Sequence, residues 1–265
     1  MQTLLTLSYD GTTYAGWQRQ QNAIAVQQKL EEALSALLRQ PITTKAASRT
    51  DAGVHALGQR AAFFADTLPI PLDKLPQVIN GYLPPDISVT AVEAVPDSFN
   101  PRFDAAYKTY SYNIYNAPTP NPLFARYSAF MPRPLDVDAM KKAADAFIGR
   151  HDFAAFQATG SSAKTTVREI YDFNVIKEVS GIIKLTITGS GFLYNMVRII
   201  AGTLLYVGLG KLPYSAISDI IISRNRTRAG KTMPPEGLIL LEVGYKRNSE
   251  TQKKPIGALA YESEG

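Results

Sequence analysis

The chain has 265 residues, 45% hydrophobic and 19% charged, which is apolar enough for a folded core and fits one large domain or two small ones sharing a core. It contains no cysteine, which excludes thiol nucleophiles, disulfide frameworks and thiolate metal sites, and its two histidines, His55 and His151, give no metal-ligand spacing. The 28 basic residues against 23 acidic ones leave a net charge of +5, a mild excess that suits a polyanionic partner as well as ordinary surface charge.

Residues 4–9 alternate as a strand, followed by an Asp10-Gly11 turn. Val26, Leu30, Ala33, Leu34, Leu37 and Leu38 recur at helical spacing until Pro41 stops the run. A short strand over 42–47 leads into the segment Ser48-Arg49-Thr50-Asp51-Ala52-Gly53-Val54-His55, and 59–65 reads as another strand. A Pro-rich link over 68–71, a helix over 73–82 and a strand over 87–95 complete the first part. In the second part 107–115 is a strand and 136–148 an amphipathic helix, with Asp136 and Asp138 at its start and Gly149 past its end. Strands over 167–176 and 182–188 follow, then an apolar helix over 194–207 ended by Gly208, a helix over 214–223 and a strand over 238–245.

This order predicts an α+β fold of two mostly antiparallel sheet subdomains of similar layout, with helices on one face. The expected boundaries are 1–104, carrying the aspartate segment, and 105–246, with 247–265 a loose polar tail. No apolar run reaches the length of a membrane span, and Met1-Gln2-Thr3-Leu4 has no signal-peptide layout, so a cytoplasmic location is expected. The chain has no Gly-rich dinucleotide fingerprint, P-loop or Gly-x-Ser-x-Gly elbow, which leaves nucleotide-cofactor and serine-hydrolase chemistry without support.

Arg49 stands two residues before Asp51, and a neighbouring cation favours an ionised carboxylate. Residue chemistry alone leaves two roles open for Asp51: a turn aspartate paired with Arg49, or a nucleophile, base or electrostatic stabiliser. His55 reads as a packed structural histidine. In Tyr107-Lys108-Thr109-Tyr110-Ser111-Tyr112, Lys108, Tyr110 and Tyr112 share one strand face, which suits either cross-strand packing or stacking on an unpaired base. Arg198 sits in a very apolar helix and calls for a partner, with Asp51 the candidate, unless its stem carries the charge to the surface.

Together these motifs resemble the TruA branch of the pseudouridine synthase family, over nearly the whole chain. The resemblance rests on Tyr9-Asp10-Gly11-Thr12 with Tyr14-Ala15-Gly16-Trp17-Gln18-Arg19-Gln20, on Arg49-Thr50-Asp51-Ala52-Gly53-Val54-His55 with Gly58-Gln59, and on Arg102-Phe103 with Lys108-Thr109-Tyr110-Ser111-Tyr112. Phe192-Leu193-Tyr194-Asn195-Met196-Val197-Arg198 and Glu236-Gly237-Leu238 complete the set, in the family's order. Ser48 departs from the glycine usual before the arginine, and Tyr194-Asn195 replaces a variable pair; neither touches the residues given chemistry.

The resemblance implies isomerisation of uridine to pseudouridine in the tRNA anticodon stem-loop, at positions 38, 39 and 40, by a homodimer without a cofactor, and it adds a catalytic cleft between the two sheet subdomains. It makes Asp51 the nucleophile, Tyr110 the base-stacking tyrosine, Arg198 the partner of the aspartate and Leu238 a wall of the pocket, and gives Arg49 a grip on the flipped nucleotide. The polar loop over 156–167 is a candidate RNA clamp. The rivals are a non-catalytic RNA binder, which needs Tyr110 but not Asp51, and a nucleoside N-glycosidase, which releases the base.

Overall fold

The computed structural model describes residues 1–161 and 163–246; the tail expected over 247–265 lies outside the described residues. Ten strands and five α-helices run in the order β1 (Gln2–Tyr9), α1 (Val26–Leu38), β2 (Thr44–Ala46), β3 (His55–Phe64), α2 (Leu75–Asn80), β4 (Ile87–Val95), β5 (Ala105–Asn116) and β6 (Ala129–Met131) among the described residues. Then come α3 (Val137–Asp145), β7 (Gly149–Asp152), β8 (Val167–Lys177), β9 (Ile182–Gly189), α4 (Met196–Gly208), α5 (Ala216–Ser223) and β10 (Leu238–Tyr245). The fold is mixed α+β with a large, mostly antiparallel sheet.

The strands form one sheet in the order β4-β1-β3-β10-β5-β9-β8-β7, with β2 beside β3 and β6 beside β5. β10, the last strand in sequence, joins the two halves. It pairs parallel with β3 through Ile239 opposite His55 and Leu240 opposite Ala56, and antiparallel with β5 through Leu240 opposite Tyr110. A single apolar core runs through both halves, from Leu5, Trp17 and Leu34 to Tyr112, Phe156 and Leu204.

Helix α1 buries Val26, Leu30, Ala33 and Leu34 at helical spacing. It also buries Glu31, whose carboxylate accepts the Thr44 N–H at 2.8 Å and the Gln27 amide at 3.0 Å and pairs with Arg19, so the buried charge is satisfied and β2 is tied to α1. Helix α3 begins where Asp136 accepts the Ala139 N–H at 2.9 Å. It ends at Asp145, earlier than its periodicity suggests; Gly149, with φ +105°, opens β7 instead of following the helix directly.

Helix α4 is buried on nearly all sides, which fits a sequence that is apolar apart from Arg198 and Thr203. The segment 230–233 crosses it at backbone distance. A Cβ on Gly202 would stand 1.9 Å from the Lys231 carbonyl oxygen, so only glycine permits the crossing. Thr203 Oγ1 accepts the Gly230 N–H at 2.8 Å, and the Arg198 carbonyl accepts the Met233 N–H at 3.2 Å, which locks the crossing in place.

Candidate active site

Asp51 lies in the loop between β2 and β3, and several backbone groups of that loop are held from outside it. The Trp17 N–H donates to the Thr50 carbonyl at 3.0 Å and the Gly53 N–H to that of Tyr14 at 3.3 Å. Gly16, with φ +95°, lets the Tyr14–Trp17 turn close on this loop: a Cβ there would stand 2.6 Å from the Thr50 carbonyl oxygen. The buried Gln59 amide grips both ends of Ser48, accepting its N–H at 3.3 Å and donating to its carbonyl at 2.8 Å. Tyr9 and Thr50 share a further buried hydroxyl hydrogen bond of 2.7 Å. These bonds tie the aspartate loop to β1 and β3, both built into the sheet.

The Asp51 carboxylate faces Arg198, with Oδ2 3.6 Å from Nη1. Arg198 comes from the first turn of α4 and is fixed by two other bonds, Nε donating to the Met233 carbonyl and Nη1 to Asn195 Oδ1, each at 2.7 Å. Burial raises the Asp51 pKa above its ordinary value, and Arg198 offsets part of that rise. Arg49 points elsewhere, donating to Gln18 Oε1 at 3.3 Å. Asp51 therefore meets its cation across the fold and not from its neighbour in sequence.

A cleft of about 930 Å³ opens over the carboxylate, lined by Asp51, Arg49, Tyr110, Arg198 and Leu238 among others. The five residues singled out from the sequence thus meet at one cavity, drawn from the aspartate loop, β5, α4 and β10. Tyr110 is buried; it meets Phe192 edge to face, with ring centroids 5.2 Å apart, and its hydroxyl shares a 2.7 Å hydrogen bond with Ser48 Oγ. Its pKa is pushed up to about 12, chiefly by burial, with the Ser48 bond opposing and the Asp51 charge adding. The group is thus a neutral phenol at physiological pH. Leu238 begins β10, directly after the turn Pro235–Gly237.

His55 stands behind this site. It is buried, its Nδ1 accepts the Gly11 N–H at 3.1 Å, and its ring packs 5.0 Å from that of Tyr127. Ser48, Gln59 and Asn195 were not singled out for a role in the sequence, yet they hold Tyr110, the loop and Arg198. The only traces of them were Ser48 standing where glycine is usual, Gln59 following the aspartate motif, and Asn195 in the variable pair before Arg198.

The family model described as tRNA pseudouridine synthase matches residues 6–104 and 143–246. The chain belongs to the tRNA pseudouridine synthase family. The synthase is 49% identical over 241 residues to the tRNA pseudouridine synthase A of Ruminiclostridium cellulolyticum, covering 91% of this chain and 98% of the relative. It is 46% identical over 244 residues to the protein of that name from Geotalea uraniireducens, covering 92% of this chain and 99% of the relative. The synthase is accordingly an isomerase that makes pseudouridine in tRNA. No helix among its described residues is long and apolar enough to cross a membrane.

Proposed function

We propose that the synthase acts on uridines 38, 39 and 40 of the tRNA anticodon stem-loop, as a cytoplasmic homodimer, with Asp51 the group that opens the glycosidic bond. The observation that carries the chemical part is the pairing of a half-buried carboxylate with Arg198 in a cleft walled by Tyr110 and Leu238. The target uridine must leave its stack to reach this carboxylate, at a cost of a few kcal/mol. Phosphate contacts along a basic cleft offset that cost.

Two routes start from the same carboxylate. In one, an Asp51 oxygen bonds to C1′ as the C1′–N1 bond breaks and its electron pair leaves with uracil. In the other, Asp51 takes the C2′ proton as that bond breaks, giving a glycal. In both, uracil turns, C5 bonds to C1′, the group held by Asp51 is returned, and the C5 proton is lost while N1 gains one. Nothing is oxidised or expelled. Tyr110 and Leu238 retain the detached ring without fixing its orientation, because an aromatic and an aliphatic surface offer contact without directional bonds. The Tyr110 hydroxyl, hydrogen-bonded to Ser48, is assigned to assist loss of the C5 proton, which passes on to water because a neutral phenol does not hold it. Arg49 is assigned to the flipped nucleotide.

The test uses unmodified tRNA carrying tritium at uridine C5. The protein should release tritium from intact RNA, with pseudouridine mapping to 38–40, whereas Asp51→Asn binds the RNA and releases none. Abasic sites would mean an N-glycosidase, binding without release a non-catalytic protein, and normal release by Asp51→Asn a different catalytic group.

A further inference from the structure

Away from Asp51, the same cleft gathers three cations that the chemistry above does not use: Arg102, Lys108 and Arg168. Lys108 projects from β5 on the Tyr110 face, two residues earlier, so their Cα atoms are about 7 Å apart. Its ammonium spends one donor on the Ala47 carbonyl at 2.7 Å and has two left. Arg168, at the start of β8, spends Nη1 on the carbonyls of Thr165 and Val167, at 3.0 and 2.6 Å. Its Nε and Nη2 remain, the edge of a guanidinium that grips two oxygens of an anion at once. Gly191 lies beside that edge and adds no side chain to it; a Cβ there would come to 4.0 Å from Nε.

Among the described residues, no carboxylate lies within 4.0 Å of any of these three cations, while Asp51 in the same cleft is engaged with Arg198. Burial and then the charges of Arg102 and Arg168 push the Lys108 ammonium down to about 8, with no acid opposing them. Burial lowers the Arg168 pKa as well. Cations kept together, partly desolvated and without a counter-charge, are complementary to an anion supplied from outside.

We infer that Arg102, Lys108 and Arg168 form a binding site for one RNA phosphodiester, the one flanking the uridine whose base lies against Tyr110. The placement fits a single nucleotide, with its phosphate at Lys108 and its base one strand repeat further along β5. The anchor holds the sugar over Asp51 while the detached uracil turns, because the phosphate stays tethered to the sugar and the base does not. The assignment rests on the proposed synthase mechanism and extends it from the base to the backbone.

The test pairs changes on both partners, in the Asp51→Asn protein so that no turnover intervenes. Anticodon stem-loop RNAs carry one uncharged methylphosphonate linkage, either 5′ or 3′ of the modified uridine. At one of the two positions the neutral linkage should weaken binding about tenfold, and Arg168→Gln should weaken binding of the unmodified RNA by a similar factor. Combined, the two should cost no more than either alone. Arg168→Gln should also flatten the dependence of log Kd on log salt by about 0.7–0.9.

Losses that multiply at both positions would overturn the assignment. So would an Arg168→Gln protein that keeps its salt slope but loses tritium release in the Asp51 background, since the cations would then serve the chemistry. Lys108→Gln is measured alongside with its melting temperature, because it removes a donor to Ala47; Arg168→Gln decides the outcome should that variant fail to fold. Tritium release by the unaltered protein reads the synthase mechanism separately, whatever the phosphate experiment gives.

Discussion

At Asp51, burial and Arg198 act in opposite directions on one carboxyl, and burial prevails. The ionised form is the reactive one, so kcat/KM should fall on the acid side at a pH above the ordinary aspartate value of about 3.9. Arg198→Gln should move that limb to higher pH as well as lower the plateau. The same shift bears on stability. A folded-state pKa above the unfolded one contributes stability below the unfolded pKa, and that contribution is lost as pH rises through the folded value. At neutral pH the Asp51 charge is therefore a net cost to folding. Asp51→Asn keeps an acceptor for Arg198 and removes the cost, so it should melt about 1–3 °C higher at pH 7 while releasing no tritium. Calorimetry across pH checks this: the gain should shrink as pH falls through the raised Asp51 pKa and be gone below the ordinary aspartate value, and a lower melting temperature at pH 7 would refute it. Asp51 and Arg198 could be picked out from their sequence surroundings, one in a turn-rich motif and the other a charge in an apolar helix. That Arg49 turns to Gln18 could not, because adjacency along the chain does not set the direction of a long side chain.

The elements carrying the site are held by contacts remote from it. Arg198 owes its position to α4, and α4 to its crossing with 230–233. Gly202→Ala places a methyl group 1.9 Å from a backbone oxygen that has no rotamer to escape into. The change should cost about 1–3 kcal/mol, read from the urea midpoint. By shifting α4 it should also lower tritium release more than tRNA affinity, since the shift reaches Arg198 and not the cations on β5 and β8. Periodicity revealed the long elements well: 26–38 repeats at helical spacing, and 87–95 and 238–245 read as strands with the bounds observed. The short strands β6 and β7 escaped, because three or four residues carry too little pattern and their pairing comes from distant partners. His55 belongs to β3 and not to the loop before it, since its parallel pairing with β10 extends the strand toward the motif.

For the whole molecule, β10 determines how the halves relate. It lies between β3 and β5, so neither half can separate without breaking a ladder, and one core runs through both. Unfolding should therefore be a single cooperative event. Trp17, the only tryptophan, is buried in the N-terminal half, so its fluorescence reports there while far-ultraviolet circular dichroism reports on the whole sheet. The two urea transitions should coincide; a fluorescence midpoint clearly apart from the dichroism midpoint would mean that the halves unfold separately. By itself the sequence determined the kinds of element, the absence of thiol chemistry and the motifs that mark the family, since these depend on local periodicity, residue chemistry and order along the chain. Only the tertiary structure decided which cation faces Asp51, that Ser48 and Gln59 hold the loop and the tyrosine, and that Lys108 and Arg168 stand together without a counter-charge. These are relations between residues from about ten to more than a hundred positions apart, and chain order does not encode which distant side chains a sheet brings to the same cleft.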